Sequence, residues 1–474
     1  MLAIATFGIP MLGSLLTLLA DRVNGVLRNL LAILTVAATL MCAALLVPIA
    51  QEARTVMLGS SNVPGLGFDF IIDGLGVYVA IMSALIGLLI VVYSVGYMKE
   101  YSHLGEYYFL VVLFLGAMMG LVLSANLLLI YIFWEITAIC SWRLIGFFRD
   151  PQHLRNADTA LLMTVFGSFC MLVGIEMIWH ETGTLAIAGI HGQPVSDTAI
   201  LLMFIGVLAK SAQVPLQVWL PGAGVAPSPV TALLHSAVLV VIGVFAFARI
   251  FIGAFDLPLN WQFITSAVAT VTILVASSAA LVENNAKRIL AYSTFGQLAY
   301  VYLGFASMTP IGIVGGLIFL LAHSLAKAGL FLCVGIIEHT THERDIRALG
   351  GMFRVMPVTA ISFILCTLTI IGFPPSAGFA GKLMIIFGAL EGGKGGFAAV
   401  AVFGALLSIA YMLRLFNSVF MGPKPSHDVK EGTFGMVAIV AVFAVLSLLV
   451  GFAAAPMLDV VRLVAQQLTS MVGF

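Results

Sequence analysis

Six ionisable side chains lie inside long apolar stretches of this sequence. They are one glutamate, three lysines and two histidines: Glu135, Lys210, His235, His323, Lys327 and Lys382. A charged side chain at the centre of a bilayer costs about 2.5–3.5 kcal/mol on insertion scales, so such groups normally face a protein interior or a water-filled cavity. Each one alone could be a structural polar group that a neighbour satisfies. Together, the six predict a path for ions or protons.

The chemistry of these side chains suits proton transfer. While Glu135 and Lys210 are close, each favours the charged form of the other, and when they separate, burial favours the neutral lysine, so a proton can leave. Histidine titrates near neutral pH and can relay protons in either direction. His323 and Lys327 are four residues apart, so they share one helix face. We therefore predict a water-bridged chain of groups in the order Glu135, Lys210, His235, Lys327 and Lys382.

Two apolar segments contain prolines where a membrane helix would otherwise continue. In KSAQVP, Pro215 follows Lys210, and in GFPPSAGFAGK, Pro374 and Pro375 precede Lys382. A proline removes a backbone donor and clashes with the preceding turn, so both helices are predicted to break. Broken helices in the two halves of a chain are typical of inverted repeats around a transport site. The alternative for the first segment is a kinked helix whose lysine extends to the membrane surface.

The composition places these groups in an integral membrane protein. Of the 474 residues, 61% are hydrophobic and only 9% are charged, whereas soluble domains carry about 25% charged residues. The net charge is zero and there is no basic cluster, which excludes nucleic acid as a partner. The five cysteines are scattered singly, so the sequence predicts no disulfide framework, no metal site and no cofactor.

A bilayer-spanning helix needs about 20 apolar residues, so the chain has room for about fourteen such helices and no soluble domain. The start is interpreted as a first membrane helix, because it lacks the basic segment of a signal peptide. A tail from Met457 to Phe474 is too polar to be predicted as a span. The predicted helices are 1–20, 28–50, 71–98, 107–124, 126–148, 157–179, 198–218 (broken), 228–253, 260–281, 288–307, 310–338, 355–390 (broken), 396–420 and 433–454.

The loop charges predict the orientation in the membrane. Most of the lysines and arginines in loops follow odd-numbered helices. They are Arg22, Arg28, Lys99, Arg149, Arg155, Lys287, Arg288, Arg344, Arg347, Arg354, Lys424 and Lys430. By the positive-inside rule this side is cytoplasmic. We therefore predict a multi-pass protein of the cell's inner (cytoplasmic) membrane, with both termini outside.

Four segments of the chain resemble the signature segments of one protein family: KSAQVPLQVWLPGAGVAPSPVTALLHSA, ENNAKRILAYSTFGQLAY, AHSLAKAGLFL and GFPPSAGFAGK. They are similar to the antiporter-like subunits of respiratory complex I, of Mrp-type sodium/proton antiporters and of group 4 membrane-bound hydrogenases, which include formate hydrogenlyase. The resemblance covers the chain from about residue 70 to 420. It implies an all-α polytopic fold of about fourteen helices, in which helices 4–8 and 9–13 form two inverted repeats.

The resemblance implies a division of the chain and a role for each polar residue. The predicted parts are 1–106 with helices 1–3, 107–255 as the first repeat, 256–422 as the second repeat, and 423–474 with helix 14 and the tail. The residues that match the family's proton path are Glu135 in helix 5, Lys210 in helix 7, His235 in helix 8, His323 and Lys327 in helix 11, and Lys382 in helix 12. Some members carry a lysine in helix 8 where this chain has Val240 or Val241, so His235 must make that link.

The resemblance implies an ion-translocating subunit without a redox active site of its own. Its partners would be other membrane subunits and a cytoplasmic redox module, with lipid around them. The long lateral helix of the largest complex I subunit is not found, which favours a hydrogenase, an Mrp-like assembly or a related complex. Two alternatives stay open. One is sodium/proton exchange, and the other is a non-pumping membrane partner in ion-coupled carbon uptake.

Overall fold

The computed structural model describes residues 1–57, 67–255, 257–423 and 429–470, and this part of the chain is almost entirely helical. The main helices are α1 (Leu2–Asp21), α2 (Gly25–Leu45), α3 (Gly74–Tyr97), α4 (Leu104–Leu123), α5 (Leu127–Ile145), α6 (Pro151–Thr182), α7 (Asp197–Lys210), α8 (Ser228–Ile252), α9 (Leu259–Val282), α10 (Ala286–Ala306), α11 (Pro310–Thr341), α12 in two halves (Pro357–Ile371 and Ala377–Glu391), α13 (Gly395–Phe420), α14 (Phe434–Phe452) and α15 (Ala454–Ser470). Short helical turns occupy Val47–Ala50, Ile187–Ile190, Trp219–Gly222, Ala223–Val225 and Met352–Arg354.

Eleven helices within the described ranges are long and apolar enough to cross a membrane, which confirms the predicted all-α, multi-pass membrane fold. The other three predicted crossings fall on α7, α10 and α12. Two of these are broken into shorter pieces, and α10 carries many polar side chains. The total of fourteen crossings therefore stays a prediction.

The packing places α8 and α11 at the centre of the molecule. Every residue in the most apolar window of α8 is buried, as are 94% of those in α11, against 33% in α1, α2, α13 and α14. A helix that is apolar all round belongs in the interior. The peripheral helices bury one face and leave the other to lipid or to other subunits. His235, His323 and Lys327 therefore lie on two of the most deeply buried helices.

Polar side chains fix where many helices begin. Each of these residues accepts a hydrogen bond from a backbone N–H in the first turn of its helix: Asn24, Asp73, Asn126, Asp150, Ser196, Asn285, Thr309 and Ser376. Such a cap contributes about 0.5–2 kcal/mol. Hydropathy alone predicted helix 6 from residue 157, whereas Asp150 caps α6 and starts it at Pro151.

The predicted start of helix 3 at residue 71 is wrong, because two paired β-strands precede the helix. Strand β1 (Arg54–Met57) pairs antiparallel with β2 (Asp69–Ile72), and Arg54 lies opposite Ile72. Asp73 then accepts a hydrogen bond from the Gly76 N–H at 3.0 Å and starts α3 at Gly74. The aromatic and branched residues of β2 read as part of the apolar run, so hydropathy did not separate strand from helix.

The prediction of one regular helix over 228–253 is also wrong in detail. Regular α-helix stops at Ser236, resumes at Leu239 and becomes a π-helix over Phe247–Ile252. The Ala237 carbonyl at the interruption accepts a hydrogen bond from the Ser83 hydroxyl of α3 at 2.7 Å. No proline or glycine marks this interruption, which directly follows His235.

The C-terminal tail, which is too polar to be predicted as a span, forms helix α15. Within α15, the Gln467 side chain accepts a hydrogen bond from the Gly74 N–H at 2.7 Å and donates one to the Ala50 carbonyl at 2.8 Å. Buried Val461, Val464 and Leu468 pack towards α3 and α11. Residues 471–474 of the predicted tail and Lys424 of the predicted charge pattern lie outside the described residues.

Candidate functional site

The polar residues that the sequence predicts for the path lie deep inside the helical bundle. Lys210, His235, His323 and Lys327 have no exposed surface, and Lys382 is 4% exposed. Glu135 differs, because it is only half-buried and lies towards the outer surface of α5. The structure therefore contains a buried polar axis, defined here as these five fully buried residues, with Glu135 at its edge.

Lys210 lies where α7 stops, and the non-helical residues 211–218 that follow include Pro215. Its ammonium donates a hydrogen bond to the Trp134 carbonyl on α5 at 3.1 Å and lies 5.1 Å from the centre of the Trp134 ring. A carbonyl oxygen and a cation–π contact thus stabilise the charge. The alternative in which this lysine extends to the membrane surface does not fit its complete burial.

Glu135 directly follows Trp134 in α5, whose carbonyl accepts the hydrogen bond from Lys210. The two side chains form no direct ion pair, since neither occurs among the ion pairs of the described residues. One carboxylate oxygen of Glu135 is buried without a hydrogen-bond partner in this part of the chain. The structure therefore brings the predicted pair near each other but not into contact.

His235 on α8 lies against the segment of α11 that follows Lys327. The His235 ring lies 4.6 Å from the ring of Phe331, which is one helical turn after Lys327. The Lys327 ammonium donates to the Leu290 carbonyl of α10 at 3.1 Å. The predicted link from helix 8 to helix 11 is thus geometrically available.

Several buried polar atoms along this axis have no hydrogen-bond partner among the described residues. They include both ring nitrogens of His235 and of His323, the Ser324 hydroxyl and the side-chain carbonyls of Gln213 and Gln297. Buried polar groups in native proteins are almost always satisfied, by water where no protein atom is in reach. The water bridges between the titratable groups stay a prediction.

Lys382 lies in the second half of α12, after the break that contains Pro374 and Pro375. Its ammonium donates to the Ile370 carbonyl in the first half at 2.7 Å and lies 4.8 Å from the centre of the Tyr300 ring. The last carbonyls of a helix carry partial negative charge, which stabilises a cation. The break therefore creates the acceptor that holds its own lysine.

A close backbone contact lets the two halves of α12 meet. A Cβ atom at Gly378 would lie 1.8 Å from the Thr369 carbonyl oxygen, which no side chain permits. Only glycine fits at position 378. The break in α12 therefore depends on Gly378 as well as on the prolines.

Sequence reasoning missed two further groups of buried polar residues. Arg249 is fully buried in the π-helical part of α8 and donates to the Asp73 carboxylate at 2.7 Å. Lys287, predicted in a cytoplasmic loop, is 1% exposed and forms an ion pair with Glu338 at 2.5 Å. Arg249 lies inside the apolar string FARIFI, a signal that was visible in the sequence. Lys287 gave no such signal, because it lies in a polar stretch.

Comparison with known proteins identifies the family. Residues 124–408 match the family described as NADH:quinone oxidoreductase/Mrp antiporter, TM, which is more than half of the chain. The chain belongs to this family. Residues 62–108 also match the family described as NADH-Ubiquinone oxidoreductase (complex I), chain 5 N-terminus. The predicted resemblance is therefore confirmed.

The curated relatives are longer than this member of the family. The chain is 32% identical over 424 residues to the Na(+)/H(+) antiporter subunit A1 of Staphylococcus aureus strain MRSA252, which covers 81% of this chain and 53% of the relative. The same protein of strain JH9 matches to the same extent. The chain thus spans about half the length of the curated relatives it matches.

Three solved structures share the fold over almost the whole chain. A chain of the Mrp complex from Dietzia sp. DQ12-45-1b superposes with a TM-score of 0.90 at 24% identity, covering 98% of this chain and 97% of that one. A chain of respiratory complex I from Thermus thermophilus gives 0.88 at 24%, covering 100% of both. A chain of the membrane-bound sulfane sulfur reductase, an archaeal respiratory membrane complex, gives 0.91 at 21%, covering 99% and 98%.

Proposed function

We propose that this chain is a proton-translocating, antiporter-like membrane subunit of a redox-driven complex. The observation that carries this proposal is Lys327, which is fully buried and contacts a backbone carbonyl rather than a carboxylate. A permanently charged lysine at such a place would destabilise the protein, and buried structural lysines are normally paired with a carboxylate. A lysine that loads and releases a proton needs no fixed counter-ion.

The buried polar axis supplies the steps of the transfer. Glu135 and Lys210 form the switch that faces a neighbouring subunit, His235 and His323 relay the proton, Lys327 carries it and Lys382 releases it. The half-buried position of Glu135 supports this order, because a carboxylate in mid-membrane requires a protein neighbour rather than lipid. A partner module supplies the energy for the transfer.

The proposal includes the arrangement of the chain in the membrane. Residues 107–255 and 256–422 form two inverted repeats within fourteen crossings, and both termini lie outside the inner membrane. Two breaks, each with a lysine that donates to a backbone carbonyl, support the repeats. The partners are further membrane subunits and a cytoplasmic redox module.

Sodium/proton exchange in an Mrp-type assembly is the second candidate function, and the name of the curated relatives favours it. Cations such as sodium prefer several oxygen ligands, whereas this axis is rich in lysine and histidine. Ion flux that depends on sodium and persists in the presence of a protonophore supports exchange. Flux that is independent of sodium supports proton translocation.

Substitution of Lys327 tests the proposed function. In the intact complex reconstituted into proteoliposomes, Lys327→Ala should reduce proton flux at least about a hundredfold, as expected for loss of a proton-transfer group. Lys394→Ala is the matched control, because Lys394 is a half-buried lysine away from the axis that binds Gln262 and the Ser307 carbonyl. Unchanged flux in an assembled Lys327→Ala complex rules out the carrier role and favours the non-pumping alternative.

A further inference from the structure

A carboxylate held by two cations lies at the end of α11. One oxygen of Glu338 pairs with the Lys287 ammonium at 2.5 Å and accepts a hydrogen bond from the Ser228 hydroxyl at 3.1 Å. The other oxygen binds the Arg344 guanidinium. These contacts join the start of α8, the start of α10 and the end of α11. We refer to Lys287, Glu338 and Arg344 as the triad.

The triad lines a polar cavity at this end of the helical bundle. The cavity has a volume of about 280 Å³, and its lining includes Tyr97, Tyr101, Lys287, Glu338, His339 and Arg344. Arg344 also lines a second polar cavity of about 440 Å³, beside the start of α10. Glu338 is 12% exposed, so its carboxylate can meet water while Lys287 behind it is 1% exposed. In the predicted orientation this end of the molecule is cytoplasmic.

The same helix faces lead from the triad to the centre of the buried polar axis. Ser228 and His235 are seven residues apart on α8, which is two turns and about 10 Å along the helix. On α11, Lys327 and Glu338 are eleven residues apart, or three turns, so both lie on one face. A Cβ atom at Gly335 would lie 2.6 Å from the Ser228 Cβ, so this glycine lets the two helices approach closely.

A carboxylate bound by two arginines at the same end of the molecule offers a contrast. Glu106 at the start of α4 binds Arg143 and Arg149, and its side chain is 30% exposed. It has the same chemistry as Glu338, but it lines neither of the two cavities that Arg344 lines. It also lies on α4, away from the contact between α8 and α11. Glu106 fits a structural role, whereas the place of Glu338 fits proton uptake.

We propose that Glu338 is the proton-loading site of the buried polar axis, which rests on the translocation function proposed above. A proton from water in the cavity binds the Glu338 carboxylate, and the neutral acid releases Lys287. The proton then leaves along the Ser228 hydroxyl and bridging water to a ring nitrogen of His235, and from there to Lys327. Glu338 regains its charge and pairs with Lys287 again, so no charge is lost or gained at the triad over a cycle.

The test measures proton flux of the intact complex in inverted membrane vesicles. Glu338→Gln keeps the shape of the side chain but cannot load a proton, and it should reduce flux at least about tenfold. Glu106→Gln is the matched control and should keep flux within about twofold, as for an exposed ion pair. Assembly of each complex is checked by native gel electrophoresis.

A second variant keeps the test decisive if Glu338→Gln fails to assemble. Glu338→Asp keeps the charge and both cationic partners but withdraws the carboxylate by one methylene. It should shift the dependence of flux on the pH of the cytoplasmic side and leave the dependence on the opposite side unchanged. A purely structural ion pair predicts the same pH profile as the unaltered protein on both sides, and that result overturns the proposal.

Lys327→Ala separates failure of this proposal from failure of the function. Full flux in assembled Glu338→Gln, together with loss of flux in Lys327→Ala, overturns the loading site and leaves translocation in place. Full flux in Lys327→Ala overturns the function itself, and with it the loading role of Glu338.

Discussion

The two broken helices hold their lysines in different ways. At the first break, the Lys210 ammonium contacts a carbonyl of a separate helix, α5, next to Glu135. At the second break, the Lys382 ammonium contacts the Ile370 carbonyl of its own helix. Both lysines are buried against aromatic rings, and each lies beside an interruption that contains proline. The same sequence device has therefore produced two different environments for a buried cation.

The difference indicates what each lysine can respond to. The acceptor of Lys382 comes from the break itself, so its position depends little on other elements. Lys210 depends on α5, whose outward face carries Glu135 together with exposed Ile132 and Ile139. A neighbouring subunit that moves against this face changes the electrostatic environment of Lys210 but not that of Lys382. We therefore expect the first break to be the controlled switch and the second to be a fixed relay.

Removal of either lysine should have the largest effect. Lys210→Ala and Lys382→Ala should each reduce proton flux about a hundredfold or more, which corresponds to roughly 2.7 kcal/mol in the barrier. The measurement is flux in proteoliposomes at equal amounts of assembled complex. Normal flux in Lys382→Ala, together with reduced flux in Lys210→Ala, would mean that the second break is structural and that only the first takes part in proton transfer.

The break in α12 should depend on its glycine. Gly378→Ala forces a Cβ atom onto the Thr369 carbonyl, and overpacking of this kind typically costs about 1–3 kcal/mol. We expect a lower melting temperature and less assembled complex. Gly396→Ala is the control, because nothing lies within 4 Å of a Cβ atom there. Equal stability of the two variants would show that the halves of α12 can separate at no cost.

A substitution at the interruption of α8 after His235 should have the smallest effect. Ser83→Ala removes the donor to the Ala237 carbonyl and should destabilise the protein by about 1–2 kcal/mol, as an unpaired buried acceptor does. Ser14→Ala is a suitable control, because the buried Ser14 hydroxyl donates to the Met11 carbonyl within its own helix. Thermal unfolding of the purified complex measures the difference, and identical melting temperatures would contradict the role given to Ser83.

Much of the fold could be predicted from the sequence, because apolar runs and prolines report directly on membrane helices. The break after Lys210 and the break before Lys382 both lie where Pro215 and Pro374 indicated. The strand pair before α3 and the interruption of α8 could not be predicted. Phe70–Ile72 is as apolar as the helix that follows, and no proline or glycine lies next to Ala237, whose carbonyl contacts Ser83 of α3.

The candidate site could also be predicted only in part. Charges inside apolar runs identified the buried polar axis, because a charged side chain in a membrane segment is unfavourable and therefore rare. The triad was missed because Lys287 and Arg344 lie in polar segments that resemble ordinary loops. Only the packing of three helix ends buries Lys287 and brings it to Glu338. Burial at helix ends is a tertiary property, which hydropathy along the chain does not contain.

The flux of Glu135 variants tests the difference between the two breaks most directly. If Glu135 controls Lys210, Glu135→Gln should reduce proton flux about tenfold or more in the assembled complex, as expected when a proton-transfer partner is lost. Glu135→Asp should restore most of that flux, because it restores the charge. Full flux in Glu135→Gln would contradict the account, since Lys210 would then work without a carboxylate, as Lys382 does.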